Sequence, residues 1–170
     1  MQAFVALLRA VNVGGTGKLT MTELKAMCES AGFKSVRTYI ASGNVVLQSA
    51  KTEAKVKAAL EAALAAYAGK SVGVLVRTAA EMAAVLAGNP FPGMPANLTH
   101  AIFVDDPPPA DALKNISGRA SEELRLGRRE IYVYYPDGAG ASKLKIPTAK
   151  NGTARNMNTV AKLAEMAAEL

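Results

Sequence analysis

The 170-residue chain is poor in the side chains on which much catalytic and metal chemistry rests. It has one cysteine (Cys28), one histidine (His100) and no tryptophan. A lone cysteine excludes an internal disulfide framework. A lone histidine, with no cysteine beside it, excludes the clusters that hold zinc. No run of ~18 or more apolar residues occurs, so the sequence offers no membrane-spanning helix. The apolar opening at residues 3–8 lacks a basic leader and is broken by Arg9, so it reads as a first strand and not as a signal peptide. These absences predict a cytoplasmic protein without metal, cofactor or membrane contact.

What is present is an ordinary globular mixture, 50% hydrophobic and 20% charged, with a formal net charge of +6. That excess suits an anionic partner such as nucleic acid, a nucleotide or a phosphorylated metabolite.

Residues 4–11 suit a strand buried on both faces. The stretch Asn12-Val13-Gly14-Gly15-Thr16-Gly17 is loop. Thr20 and Glu23 then form a capping box, and Met21, Leu24, Met27, Cys28 and Ala31 share one helical face that ends at Gly32. This face makes Cys28 a core residue. Val36, Thr38 and Ile40 alternate as in a half-exposed strand, and Ser42-Gly43-Asn44 turns into a second one at 45–48. Val56, Ala59, Leu60, Ala63, Leu64 and Tyr67 mark a second helix ended by Gly69, and 72–77 is a fourth strand. The order is β-α-β-β-α-β, the ferredoxin-like arrangement.

Thr78 and Glu81 cap a trailing short helix, so this first subdomain spans 1–88. Residues 89–97 are rich in proline and read as a linker. A smaller, looser ferredoxin-like α+β half is expected over 98–170. In it, 100–104 is a strand, 107–113 a short helix, and 122–126 with 131–135 a hairpin. Residues 142–146 are a helical turn, and a final helix starts near Asn156 with Met157, Val160, Leu163, Ala164 and Ala167 inward. No internal sequence repeat is apparent, so any duplication is structural.

The glycine loop is neither a P-loop nor a dinucleotide fingerprint. A P-loop ending at Gly17-Lys18 needs glycine where Asn12 stands and a hydroxyl where Leu19 stands, and G-x-G-x-x-G fails at Thr20. Base stacking of the RNA-recognition type lacks its aromatics at 45–48. What survives is weaker. A glycine loop feeding a helix N-terminus offers N–H groups to an anion, with Arg9 and Lys18 adding charge. The same glycines serve equally in a plain turn. A second polar stretch, 151–156, precedes the last helix, where Thr153 or Asn156 suits an N-cap. His100 has no triad partners, and no catalytic constellation is recognisable.

Three segments carry a family resemblance. Leu7-Leu8-Arg9-Ala10-Val11-Asn12-Val13-Gly14-Gly15, Tyr39-Ile40-Ala41-Ser42-Gly43-Asn44-Val45-Val46 and Thr153-Ala154-Arg155-Asn156-Met157-Asn158-Thr159-Val160 resemble the signatures of the domain of unknown function 1697 family. Ala10 stands where that family usually has glycine, and Met157 where it usually has tryptophan. The resemblance implies a mostly bacterial, cytoplasmic protein with paired ferredoxin-like halves, and no established activity.

The leading expectation is a binding protein for a phosphate-bearing ligand, nucleotide or nucleic acid. Its surface would comprise Arg9, Asn12, Gly14, Gly15 and Lys18, with Ser42, Gly43 and Asn44. Thr153, Arg155 and Asn156 complete it if the chain's two ends converge. The alternatives are a small-molecule enzyme oriented by Asn12, Asn44, Arg155 and Asn156, and a structural or oligomer-forming module using the sheet or the edge of the 132–135 strand. Oligomeric state is not written in the sequence.

Overall fold

A computed structural model describes residues 1–9, 19–40 and 43–170. The fold is α+β, as expected, with two four-stranded antiparallel sheets and four α-helices among the described residues. The elements are β1 (Gln2–Leu8), α1 (Met21–Ser30), β2 (Lys34–Tyr39), β3 (Asn44–Ser49), α2 (Glu53–Ala68), β4 (Val74–Thr78) and α3 (Ala79–Ala87). After them come β5 (Thr99–Phe103), β6 (Glu123–Leu126), β7 (Glu130–Tyr134), β8 (Thr153–Asn156) and α4 (Met157–Ala168). By contacts the chain forms two units, Met1–Met82 with Leu163–Leu170, and Ala83–Lys162.

The first sheet runs β2-β3-β1-β4, and every neighbouring pair is antiparallel. Phe4, Ala6 and Leu8 of β1, Val45 and Leu47 of β3, and Val74 and Val76 of β4 present one apolar face. Leu24 and Cys28 of α1 and Val56, Leu60 and Leu64 of α2 cover it, as their spacing of three and four predicts. Alternate residues Val5, Leu7, Val46 and Leu75 are buried as well, so the strands are enclosed on both faces. Local punctuation matches the sequence. Thr20 and Glu23 form the capping box, Thr52 caps α2, and Gly69 ends α2 in the left-handed region. Thr78 and Glu81 cap α3 reciprocally. Cys28 is fully buried, and burial, aided by neighbouring Glu29, pushes its thiol up to about 12. Tyr67 departs from expectation. It is exposed, and its hydroxyl donates to Glu23 Oε2 at 2.9 Å.

The second sheet repeats that order as β6-β7-β5-β8, again antiparallel. Its connections carry no α-helix. The helix expected at 107–113 is a set of turns, with Ala112 N–H donating to Pro109 and Lys114 N–H to Asp111. Pro108 and Pro109 each disfavour helical backbone at the residue before it, so the segment does not open as a helix. Residues 142–146 are extended, and short 3₁₀ turns flank them at Ala139–Ala141 and Pro147–Ala149. The segment 153–156, expected to be a capping loop, is the edge strand β8. Of the strand expected at 132–135, residues 132–134 lie within β7, an interior strand with a neighbour on each side.

Ile102, Leu124, Ile131 and Val133 form one core cluster of this unit, roofed by half-buried Leu113, Ile116, Leu144, Ile146 and Ala149 from the connections. Ser117 and Lys145 exchange backbone hydrogen bonds of 2.8 and 3.0 Å, which staples the two connections together. Gly118 beside them has φ +71, and a Cβ there would lie 2.0 Å from the Lys143 carbonyl oxygen. Only glycine fits.

Candidate functional site

One end of the first sheet gathers several of the sequence-derived residues. The Leu8 N–H donates to the Gly43 carbonyl at 2.9 Å and the Arg9 N–H to the Gly73 carbonyl at 2.8 Å. The exit of β1, the turn before β3 and the entry to β4 therefore meet there. The stem of Arg9 packs against Gly73, where a Cβ would sit 3.6 Å from Arg9 Cδ. Gly43 takes φ +82, and Asn44 is fully buried with its Nδ2 donating to the Tyr39 carbonyl at 2.9 Å. That side-chain bond closes the turn. Ile40 stands at φ +46 in the same turn and is 43% exposed. A β-branched residue in the left-handed region is strained, and such strain concentrates where a backbone is held for a purpose other than stability.

Of the remaining expected residues in this region, Asn12, Gly14, Gly15, Lys18 and Ser42 lie outside the described residues. The helix that follows their loop carries a charge of its own. Thr20 N–H donates to Glu23 Oε2 at 3.2 Å, and Glu23 N–H donates to Thr20 Oγ1 at 3.0 Å. An anion approaching the start of α1 thus meets a carboxylate already using the helix end.

Thr153, Arg155 and Asn156 belong to the second unit, on β8. Arg155 is 7% exposed, and its Nη1 donates to Thr153 Oγ1 and to the Ala154 carbonyl, both at 2.9 Å. Burial pulls its pKa down to about 10, which leaves it cationic at neutral pH. Asn156 Oδ1 accepts the Thr159 N–H at 3.0 Å, the N-cap expected for the last helix.

Two features of this unit had no signal in the sequence. Glu122 is buried, and its carboxylate accepts from the Ser142 hydroxyl and from Ala120 N–H, the latter at 2.6 Å. The Ser142 bond, then the backbone bonds, hold it below the usual carboxylate range. It walls a cavity of about 150 Å³ with Tyr135, Asp137 and Lys143. His100 is half-buried, and its ring meets the Tyr135 ring edge-on at 5.2 Å. Its Nδ1 is buried without a hydrogen-bond partner among the described residues, and burial lowers its pKa. Contacts between segments far apart in sequence create both environments, and no local spacing announces them.

No group of three or more histidine, cysteine, aspartate or glutamate side chains suited to a metal ion occurs among the described residues. No described helix is long and apolar enough to cross a membrane.

Comparison with known proteins adds to this picture. No curated protein matches the chain. A solved structure, the conserved bacterial protein SP0830 from Streptococcus pneumoniae, is similar over 97% of this chain and 98% of its own, with 23% identity and a TM-score of 0.76. At that identity the likeness shows the fold alone. The family described as protein of unknown function (DUF1697) matches residues 1–132, and the chain belongs to that family.

Proposed function

We propose that the chain binds a phosphate-bearing ligand, a nucleotide or a nucleic acid, at the end of the first sheet where Arg9, Gly43 and Asn44 stand. The observation that carries this reading is the meeting of β1, the β3 turn and β4 at one place, with an arginine at the exit of β1. Asn12, Gly14, Gly15 and Lys18 follow Arg9 within nine residues of sequence, and Ser42 directly precedes Gly43. A guanidinium neutralises a phosphate and directs two N–H groups at its oxygens, and glycine loops let backbone N–H groups approach closely. The formal net charge of +6 favours encounter with any such anion. Thr153, Arg155 and Asn156 are a second candidate group, already engaged with one another and with α4.

The test is binding of inorganic phosphate, ATP and a single-stranded oligonucleotide, read by thermal shift and equilibrium dialysis. Arg9→Ala and Lys18→Ala are each expected to weaken binding by about tenfold, the scale of one charge-assisted hydrogen bond. Arg155→Ala measures the second group separately. Oligonucleotide binding is expected to fall steeply with salt, and binding of a single nucleotide much less. Failure of all three probes to bind the unaltered protein, or unchanged binding by Arg9→Ala, overturns the proposal.

A further inference from the structure

Four strands form the sides of the two sheets: β2 and β4 in the first, β6 and β8 in the second. Each contains one arginine, respectively Arg37, Arg77, Arg125 and Arg155, and the interior strands β1, β3, β5 and β7 contain none. Three of the four guanidinium groups make the same contact. Arg77 donates to the Val76 carbonyl at 3.0 Å, Arg125 to the Leu124 carbonyl at 2.8 Å, and Arg155 to the Ala154 carbonyl at 2.9 Å. Each bonds the residue before it.

Register shows that all three carbonyls point away from their sheet. In an antiparallel ladder, pairs that exchange hydrogen bonds alternate with pairs that do not. Arg9 N–H bonds Gly73, so Leu7–Leu75 is a bonded pair, while Leu8–Val74 and Ala6–Val76 leave Val74 and Val76 facing outward. Gly127 N–H bonds the Glu130 carbonyl at 2.7 Å, which makes Arg125–Tyr132 bonded and turns Leu124 and Leu126 outward. Val104 N–H bonds the Arg129 carbonyl, so Ala101 bonds toward β8 and Ala154 faces out.

We propose that these arginines guard the sheet edges, and that Arg125 keeps β6 from pairing with β6 of a second copy. A neighbouring strand has to lie about 4.8 Å away, in the space that the guanidinium occupies. The guards differ in how much else protects each edge. On β4 the outward Val74 N–H also reaches Glu61 Oε2 (3.3 Å), the Val74 carbonyl accepts from Lys57 Nζ (2.5 Å), and Thr78 N–H reaches Glu81 Oε1 (2.9 Å). On β6 itself the Leu124 carbonyl is capped by Arg125, an exposed side chain lying 5.7 Å over the Phe91 ring, and just before the strand Arg119 Nε caps the outward Glu122 carbonyl at 2.8 Å. Symmetry adds a second barrier there. A two-fold axis at residue 125 pairs the outward groups of Leu124 with those of Leu126 in the other copy. It also sets Arg125 opposite its own counterpart, and like charges directly opposite destabilise a ladder.

Sedimentation equilibrium of the full chain over a wide concentration range tests this, with Arg125→Ala, Arg125→Gln and Arg37→Ala compared with the unaltered protein. Arg125→Ala is expected to associate at a concentration at least about tenfold lower, since it loses both cap and repulsion. Arg125→Gln keeps a donor for the Leu124 carbonyl and is expected to fall between. Arg37→Ala, whose arginine bonds Glu169 instead of a carbonyl, is expected to behave like the unaltered protein. Amide exchange then locates the contact, with Leu124 and Leu126 N–H protected only in the associated form. Unchanged mass for Arg125→Ala, with a normal thermal melt, overturns the proposal. So does association without protection at Leu124 and Leu126, or unfolding of Arg125→Ala together with Arg125→Gln sedimenting as the unaltered protein does.

Discussion

The two sheets share a strand order, β2-β3-β1-β4 matching β6-β7-β5-β8, yet they are covered in different ways. In the first, α1 and α2 occupy the crossovers and bury Leu24, Cys28, Val56, Leu60 and Leu64 against the strands. In the second, the crossovers are turns and extended chain, and half-buried residues such as Leu113, Leu144 and Ile146 do the covering. Ladder pairing thus sets the order of strands, whereas helices are one of two ways to roof the face. The roof of loops needs devices that a helix carries internally, such as the Ser117–Lys145 staple, the glycine at 118 and the Glu122–Ser142 bond.

The widest gap between the units is expected in their response to truncation. Leu60→Ala in α2 removes a fully buried side chain from a helix-covered core and is expected to cost about 3 kcal/mol. Ile146→Ala in the loop roof removes a half-buried one and is expected to cost about 1 kcal/mol. Denaturant unfolding followed by circular dichroism reads both, and equal losses break the distinction.

Acid sharpens the comparison next. Burial lowers the pKa of His100 from its ordinary 6.5, so the unfolded chain takes up that proton before the folded one. Its effect on stability is nil above about 6.5. Stability then falls as pH drops toward the lower folded value and levels off below it. Protection of the β5 and β7 amides, taken relative to their intrinsic exchange rates at each pH, is expected to fall between pH 7.5 and 5.5, with β1 and β3 much less affected, and His100→Gln to abolish the difference. Protection that falls as much in that variant removes the histidine from the explanation.

The smallest effect belongs to the first unit's surface. Arg37 and Glu169 pair at 2.7 Å with both side chains about half exposed. Arg37→Ala is expected to cost at most about 0.5 kcal/mol, vanishing in high salt. A larger loss in thermal melts shows that the pair anchors the C-terminal residues of that unit.

Legibility in the sequence followed the same divide. Where periodic helices alternate with strands, Thr20, Glu23, Gly69 and the apolar spacing of α1 and α2 gave nearly the observed elements, because each signal is local. In the second unit, β8 escaped notice. Thr153-Ala154-Arg155-Asn156 is four residues long and polar, and its identity as a strand comes from Ala101 and Ile102 across the ladder. The short helix expected at 107–113 failed because a proline tolerated in a first turn was followed by two more. Of the candidate site, the proximity of Arg9 to Gly43 comes from the β1–β3 ladder, which joins strands separated by α1 and β2 in the chain. The burial of Arg155 and the unpartnered nitrogen of His100 arise from packing between segments far apart in sequence.

Cys28 gives the molecule a practical property. A thiol reacts through its thiolate, and one held near 12 inside a helix-covered core is silent toward alkylating reagents at neutral pH. The folded protein is therefore ready to take a dye, spin label or crosslinker at any single cysteine introduced on its surface, with no background to remove first. Cys28 itself reports something else. It becomes available when α1 lifts from its sheet, so its slow modification is a clock for the opening of the first unit.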